Sequence, residues 1–332
     1  MVITKTPFRI SFFGGGTDYP AWFRNEGGAV ISTTIDKYCH ISFRYLPPFF
    51  ANRHRIVWSK IELTDRLASV QHPAIRAILP ELGFDDVRGL EIHHQGDLPA
   101  RSGIGSSSSF VVGLIKAGMI LQGNQVSRKE LAKKAIWLEQ EVMGENVGCQ
   151  DQIAAAYGGL NHIEFKQDGD FVVEPIPLSL ERKRELESSL HLVYTGTDRF
   201  ATDIAGDVIQ KMGQNRQVLR KLRKNVDRAM GILTDNKDLC EFGRLLHESW
   251  MEKVQLSPKI SNDAICKVYE AGREAGALGG KLLGAGAAGF MLFFVPAPFQ
   301  AKFLRQMEKN YLLVPFCFEN SGSSVQEFDP AS

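Results

Sequence analysis

Residues 98–109 read L-P-A-R-S-G-I-G-S-S-S-S, and an apolar run over residues 110–121 follows directly. Two glycines and four consecutive serines at the mouth of a helical pattern gather backbone N–H groups and hydroxyls at a helix N-terminus, whose partial positive charge favours phosphate. The stretch reads as a triphosphate cradle. Taken alone it is equally a Gly/Ser-rich surface turn capped by serine, so the rest of the chain has to decide.

Upstream, residues 2–13 form a β-rich run that enters Gly14-Gly15-Gly16-Thr17-Asp18-Tyr19-Pro20. A strand ending in three glycines lets backbone approach a ligand closely. Thr17 and Asp18 then offer a hydroxyl and a carboxylate of the kind that grips sugar hydroxyls; the plainer reading is a tight turn with Asp18 as a helix cap. Alternation predicts further strands over 29–45, 56–63 and 89–94. Residues 52–55 read as a solvated basic loop tip, and the pair His93-His94 would point to opposite faces of a strand, a poor metal site.

The clearest helix spans 127–144, with Ser127 and Glu130 as a capping box and Gly144 at its end. Leu131, Ala135, Leu138 and Val142 form its apolar stripe, and Glu139 lies beside that stripe. A carboxylate on the buried side needs a cation, which makes Glu139 a candidate Mg²⁺ ligand or else half of a plain ion pair. Asp151 falls near the start of a short helix, as a cap or as a reactive carboxylate. A hairpin over 159–174 and a polar joint over 181–189, the expected domain boundary, come next. They precede a strand over 190–195, a long helical region over 201–233 with a solvated charged face at 216–228, and helices over 238–254 and 257–275. The last of these is opened by Ser257 with Pro258 at its first position. A glycine-rich segment over 276–290, a strand over 290–295, a helix over 298–309 and strands over 312–318 and 324–328 complete the chain.

Several function classes drop out. Residues 284–289 are a literal G-x-G-x-x-G, but a dinucleotide fingerprint needs a strand before it and a helix after it, and here a helix precedes and a β-rich run follows. No Walker A loop exists, since Lys281 is followed by Leu282, and neither an H-R-D catalytic loop nor a G-x-S-x-G elbow is present. A net charge of +1 with 23% charged residues gives no reason to expect nucleic acid or an acidic membrane surface as a partner. The 332 residues suffice for two domains. No apolar run could span a bilayer and no basic-then-apolar leader opens the chain, so a cytoplasmic protein is the default. Five scattered cysteines without a C-x-x-C argue against a disulfide framework or structural zinc.

Three segments, residues 7–18, 99–108 and 281–289, resemble in this order the GHMP kinases, the superfamily of galactokinase, homoserine kinase, mevalonate kinase and phosphomevalonate kinase. Within it the opening F-R-I-S-F-F-G-G-G-T-D-Y-P looks like the kinases of D-glycero-D-manno-heptose 7-phosphate, and Tyr194-Thr195-Gly196 with Arg199-Phe200-Ala201 agrees; fucokinase-type sugar kinases open similarly. The resemblance implies a two-domain α+β fold. A ribosomal S5 domain 2-like half over 1–185 and a ferredoxin-like half over 186–332 would hold ATP between them.

It further implies that Pro99, Ser102, Gly103, Ile104, Gly105, Ser106, Ser107 and Ser108 wrap the ATP phosphates, and that Ser107 and Glu139 hold Mg²⁺. Asp151 would act as base with Arg9 beside it, although Gln150 stands where galactokinase has methionine. Gly15, Gly16, Thr17, Asp18, Gly284 and Gly286 would meet the sugar, with Ala287 and Ala288 where glycine is usual. A substrate phosphate needs its own cation, and Arg199 is the first choice, with Arg24 and Arg101 behind it. The expected reaction is ATP-dependent phosphorylation of the anomeric 1-hydroxyl of the heptose 7-phosphate to the 1,7-bisphosphate, as a step toward nucleotide-activated heptose. Another free-sugar 1-kinase and a non-catalytic ATP and sugar sensor are the alternatives. A homodimer is admitted but not required.

Overall fold

The computed structural model describes residues 1–196, 204–235 and 237–328. The chain opens with the expected strand, β1 (Val2–Phe13), buried from Thr6 onward. A short helix, α1 (Pro20–Glu26), begins on Pro20, where the missing N–H is no loss, and the chain returns antiparallel to β1 as one long strand, β2 (Gly28–Leu46). The strand expected at 56–63 is a hairpin, β3 (His54–Val57) and β4 (Ile61–Thr64). Residues 52–55 are therefore not simply a solvated tip. His54 lies inside β3, fully buried, with its Nε2 3.1 Å from Asp86 Oδ1.

Helix α2 (Pro73–Glu81) and strand β5 (Gly89–Gly96) lead to α3 (Ser106–Leu121). Helix α3 is apolar nearly all round because it is covered nearly all round. It lies so close on the sheet that Thr4 Oγ1 donates to Gly113 O at 3.1 Å, and a Cβ on Gly113 would stand 2.8 Å from Thr6 Oγ1. Ser109 Oγ donates to Pro7 O at 2.9 Å and pins the first turn of α3 to β1. Helix α4 (Arg128–Trp137) carries the expected capping box but passes into a π-turn, Leu138–Val142, instead of running to Gly144 as one α-helix. Then follow α5 (Gln150–Tyr157) and the expected hairpin, β6 (Asn161–Phe165) and β7 (Phe171–Pro175).

The polar joint is a helix, α6 (Leu180–Ser188), capped by Ser179. Its Glu, Arg and Lys residues are good helix formers, and burial of Leu186 gives the helix an anchor that polarity alone conceals. Strand β8 (Leu190–Gly196) precedes the expected helical region, which is two helices, α7 (Ile204–Gln210) and α8 (Arg216–Thr234), with a turn holding Gly213 between them. Leu219, Leu222, Val226 and Ala229 of α8 are buried, while Arg216 and Arg220 reach Glu26 of α1. Helix α9 (Cys240–Lys253) follows, and α10 (Asp263–Glu274) starts later than expected. Asn262 caps it through Ile265 N at 2.9 Å, whereas Ser257 donates to Asp207 Oδ2 at 2.5 Å and closes the turn before it.

The glycine-rich segment supplies a strand, β9 (Gly279–Leu282), before β10 (Gly289–Phe294). A strand, not a helix, thus immediately precedes residues 284–289, and a strand follows, so the Rossmann arrangement is still absent. Helix α11 (Ala297–Met307) and β11 (Leu312–Val314) complete a four-stranded antiparallel sheet ordered β11-β8-β10-β9, the ferredoxin-like order. The strand expected over 312–318 ends early: β12 (Phe318–Glu319) pairs with β2 and β13 (Ser324–Phe328) with β1. The first sheet, ordered β13-β1-β2-β5-β3-β4 with β6 on β2, therefore receives the tail of the chain. Phe12 and Phe13 at the end of β1 meet Phe242 of α9 edge-on at 5.4 and 5.0 Å between ring centroids, so the two sheets are joined by packed aromatic rings where β1 delivers its glycines. Among the described residues no helix is long and apolar enough to cross a membrane. The fold is the expected α+β fold.

Candidate active site

Two glycine loops meet at the junction. The loop before α3 is closed by Ser102 Oγ, which donates to Pro99 O at 2.6 Å, and by Arg101 N, which donates to Ser106 Oγ at 3.1 Å. No side chain caps the first turn of α3, which leaves its N–H groups to meet an anion. The loop between β9 and β10 packs on this one. A Cβ on Gly103 would lie 2.4 Å from Leu283 O, and one on Gly284 2.4 Å from Gly103 Cα, so both positions require glycine. Gly103 and Gly284 also take the left-handed φ of 81° and 71°. Ala287 adopts φ 66° in place of the usual glycine, and Gly286 packs on Ile260. Lys253, at the end of α9, supports the loop by donating to Leu282 O at 3.1 Å and Gly284 O at 2.5 Å.

Arg9 projects from β1 under the first loop. Its Nε and Nη2 donate to Asp151 Oδ1 and Oδ2 at 2.7 and 2.8 Å, and its Nη1 donates to Gly103 O at 2.6 Å. The fork fixes the carboxylate of Asp151 in plane beside the loop. A Cβ on Gly105 would stand 3.3 Å from Asp151 Oδ2, so carboxylate and loop are in contact. The Arg9 side chain is 5% exposed and that of Asp151 24%, which leaves the carboxylate reachable from the cleft.

Glu139 lies behind them on the π-turn, fully buried. Ser108 Oγ donates to its Oε2 at 2.7 Å, and Gln152 Nε2 donates to the same oxygen, while Oε1 has no partner. Burial with only neutral partners pushes its carboxyl up to about 7. The ion pair considered for Glu139 is not formed among the described residues. An orphaned carboxylate oxygen beside hydroxyl and amide groups fits a hard cation completed by phosphate oxygens and water; the described residues hold no cluster of three or more His, Cys, Asp or Glu that could bind a metal alone. The serine at Glu139 is Ser108, whereas Ser107 is exposed on the outer side of the turn.

Asp18 is buried at the far side. Gly16 N donates to its Oδ1 at 2.9 Å and Gln150 Nε2 to its Oδ2 at 3.0 Å, and burial raises its pKa. A cavity of about 210 Å³ opens between these groups. Arg9, Gly15, Gly16, Asp18, Asp151 and Gly284 all line it, so residues from both halves of the chain converge there. Thr17 does not: its hydroxyl donates to Gly14 O and Ala29 O and closes the turn. Arg24 and Arg101 are exposed and off the cavity wall, and Arg199 lies outside the described residues.

Sequence reasoning missed Ser11, Gln150, Lys253 and Lys281 as cavity-lining residues. Lys281 Nζ donates to Phe12 O at 2.9 Å and Lys253 is pushed down to about 8 by burial, yet neither has a carboxylate partner among the described residues. Lys253 has its partners, Leu282 and Gly284, far away in sequence, and no local pattern marks it.

Models of known families match on both sides of the junction: the GHMP kinases N terminal domain over residues 68–159 and the GHMP kinases C terminal domain over 212–310. D-glycero-alpha-D-manno-heptose 7-phosphate kinase of Campylobacter jejuni is 29% identical over 329 residues, covering 96% of this chain and 97% of that protein. The bifunctional fucokinase/GDP-fucose pyrophosphorylase of Arabidopsis thaliana is 27% identical over 91% of this chain but only 30% of its own length. Among solved structures, that of a D-glycero-D-manno-heptose 1-phosphate kinase from Bacteriodes thetaiotaomicron superposes with a TM-score of 0.80 at 24% identity, covering 99% of this chain and all of that one. With both family models matched in order on either side of the cleft, the chain belongs to the GHMP kinases and is a phosphotransferase with an alcohol group as acceptor.

Proposed function

We propose that the chain transfers the γ-phosphoryl group of ATP to the anomeric 1-hydroxyl of D-glycero-D-manno-heptose 7-phosphate, with the nucleotide lying between residues 1–185 and residues 186–332. The observation that carries the reading is the two-toothed contact of Arg9 with Asp151 directly beneath the uncapped loop and helix start at Gly103 to Ser108. Phosphoryl transfer needs alignment and charge neutralisation more than covalent chemistry. Asp151 accepts the proton of the sugar hydroxyl, and Arg9 holds it aimed through both oxygens while balancing charge on the phosphate side. The N–H groups of Gly103, Gly105 and Ser106 to Ser108, with the Pro99, Ser102 and Ile104 backbone shaping the turn, bind the phosphates. Asp18 takes sugar hydroxyls, with Gly15, Gly16 and Gly284 allowing the ring to approach the backbone.

Mg²⁺ suits Glu139 with Ser108 beside it, and when bound it would neutralise charge on the nucleotide phosphates. The full-length likeness to the Campylobacter jejuni heptose 7-phosphate kinase supports the acceptor, and Arg199 is the proposed contact for its 7-phosphate. A free-sugar 1-kinase is the second reading. It is favoured by one observation: among the described residues the cavity offers no arginine except Arg9, which Asp151 and Gly103 already occupy. A coupled ADP-release assay over heptose 7-phosphate, mannose, fucose and galactose decides. Turnover of the heptose 7-phosphate far above the free sugars is expected; equal rates would move the assignment to the second reading, and no ADP release with any of them would remove the kinase assignment.

A further inference from the structure

Two buried polar atoms on residues that line the cavity are left unemployed by the reaction described above. Ser11 Oγ and Gln150 Oε1 have no hydrogen-bond partner among the described residues, although Ser11 is only 4% and Gln150 9% exposed. Buried polar groups without partners are rare enough in folded proteins that each calls for a reason. Both residues line the cavity that also holds Asp18 and Asp151.

Their positions are fixed. Gln150 is anchored by its Nε2, which donates to Asp18 Oδ2 at 3.0 Å, and Asp18 is itself held by Gly16 N at 2.9 Å. The anchored amide therefore leaves its carbonyl oxygen free as an acceptor. Ser11 sits on β1 two residues beyond Arg9, on the same side of the strand. Gly15 lies beside both side chains: a Cβ built on it would stand 3.7 Å from Gln150 Nε2 and 3.8 Å from Ser11 Oγ. The space in front of both is thus kept open by a missing side chain. An acceptor-only oxygen and a hydroxyl that can donate match one alcohol group, which gives its proton to Gln150 and takes one from Ser11. Gln150 and Asp151, both on the first turn of α5, line the same cavity, so an alcohol held by Gln150 and the alcohol that meets Asp151 belong to one ligand.

We infer that Ser11 and Gln150 form a subsite for the hydroxyl adjacent to the one phosphorylated, so that the enzyme selects a vicinal diol at the reacting end of its acceptor. For a sugar phosphorylated at its anomeric carbon this is the 2-hydroxyl. The inference rests on the kinase reading for the naming of the reacting hydroxyl, but binding tests it without turnover.

Calorimetry on the full chain with a non-hydrolysable ATP analogue and Mg²⁺, using D-glycero-D-manno-heptose 7-phosphate and its 2-deoxy analogue as probes, measures the subsite directly. The native protein should bind the parent sugar about 10- to 100-fold more tightly than the 2-deoxy analogue. Gln150→Met, which keeps the volume, and Ser11→Ala should each reduce that ratio to within about 3-fold, with affinity for the nucleotide analogue unchanged. Gly15→Ala, whose methyl fits the space without backbone strain, should weaken the parent sugar more than the deoxy analogue. A native protein that does not discriminate, or variants that discriminate as well as the native protein, would overturn the subsite. Discrimination in binding without ADP release would instead leave the subsite standing and count against the kinase reading, whereas equal turnover of both sugars would do the reverse.

Discussion

Two carboxylates, Asp151 on the cleft wall and Glu139 buried behind it, have been completed to different degrees. Asp151 meets the protein's own cation: Arg9 holds both of its oxygens, and the pair faces the cavity. Glu139, one layer deeper, has only a hydroxyl and an amide on one oxygen and nothing on the other, and its carboxyl is pushed up to about 7. In the mechanism we propose, the proton-accepting side is thus preorganised by the chain itself, whereas the charge on the other side arrives with a ligand. That contrast suits the proposed metal role of Glu139, since a protein cation paired with it would compete with one brought by the nucleotide.

The two regions can be broken separately. Asp151→Asn keeps the shape and removes the base, so turnover should fall by about 10²- to 10⁴-fold while ATP affinity stays within a factor of a few; steady-state rates alongside equilibrium nucleotide binding check this. Arg9→Lys keeps a charge but loses the fork and the contact to Gly103 O, and a loss of about 10- to 100-fold in kcat is expected with a smaller change in acceptor KM. Glu139→Gln should act on the other region only. The Mg²⁺ concentration for half-maximal rate should rise by at least about 10-fold, and an unchanged Mg²⁺ titration would remove Glu139 from the metal site.

The smallest effect has the opposite sign. The folded-state carboxyl of Glu139 is raised above its ordinary 4.5 to about 7, so the folded protein binds that proton more tightly than the unfolded chain. The contribution of Glu139 to metal-free stability therefore falls as pH rises from about 4.5 to about 7 and then levels off. Glu139→Gln cannot ionise, and it should be more stable than the native protein by roughly 2–3 kcal/mol at pH 8, with the gap closing below pH 4.5. Urea unfolding at the two pH values in the absence of divalent cations measures it, and a variant less stable at pH 8 would contradict the assignment.

The same division marks what could be read from the sequence. The glycine ending of β1, the serine-rich start of α3 and the Ser127–Glu130 capping box are local patterns whose backbone consequences follow from neighbouring residues alone. The convergence of Arg9 with Asp151 spans 142 positions and was expected only through the family resemblance. Lys253 could not have been anticipated, because the carbonyls it holds belong to Leu282 and Gly284 in a loop that no local signal ties to α9. Helix α6 was hidden by its charge: its residues favour helix, but the single buried anchor, Leu186, gives no periodic stripe. Strand β9 was hidden by its glycines, which disfavour strands in isolation and are tolerated here by close packing against α9.

The most direct measurement is ³¹P and ¹H NMR of the product formed from ATP, Mg²⁺ and D-glycero-D-manno-heptose 7-phosphate by the native chain and by Asp151→Asn. A new phosphate resonance coupled to the anomeric proton, formed one for one with ADP by the native chain and nearly absent with the variant, is the expected result. Free phosphate in its place, a phosphate on any other carbon, or a variant as fast as the native chain would contradict the mechanism.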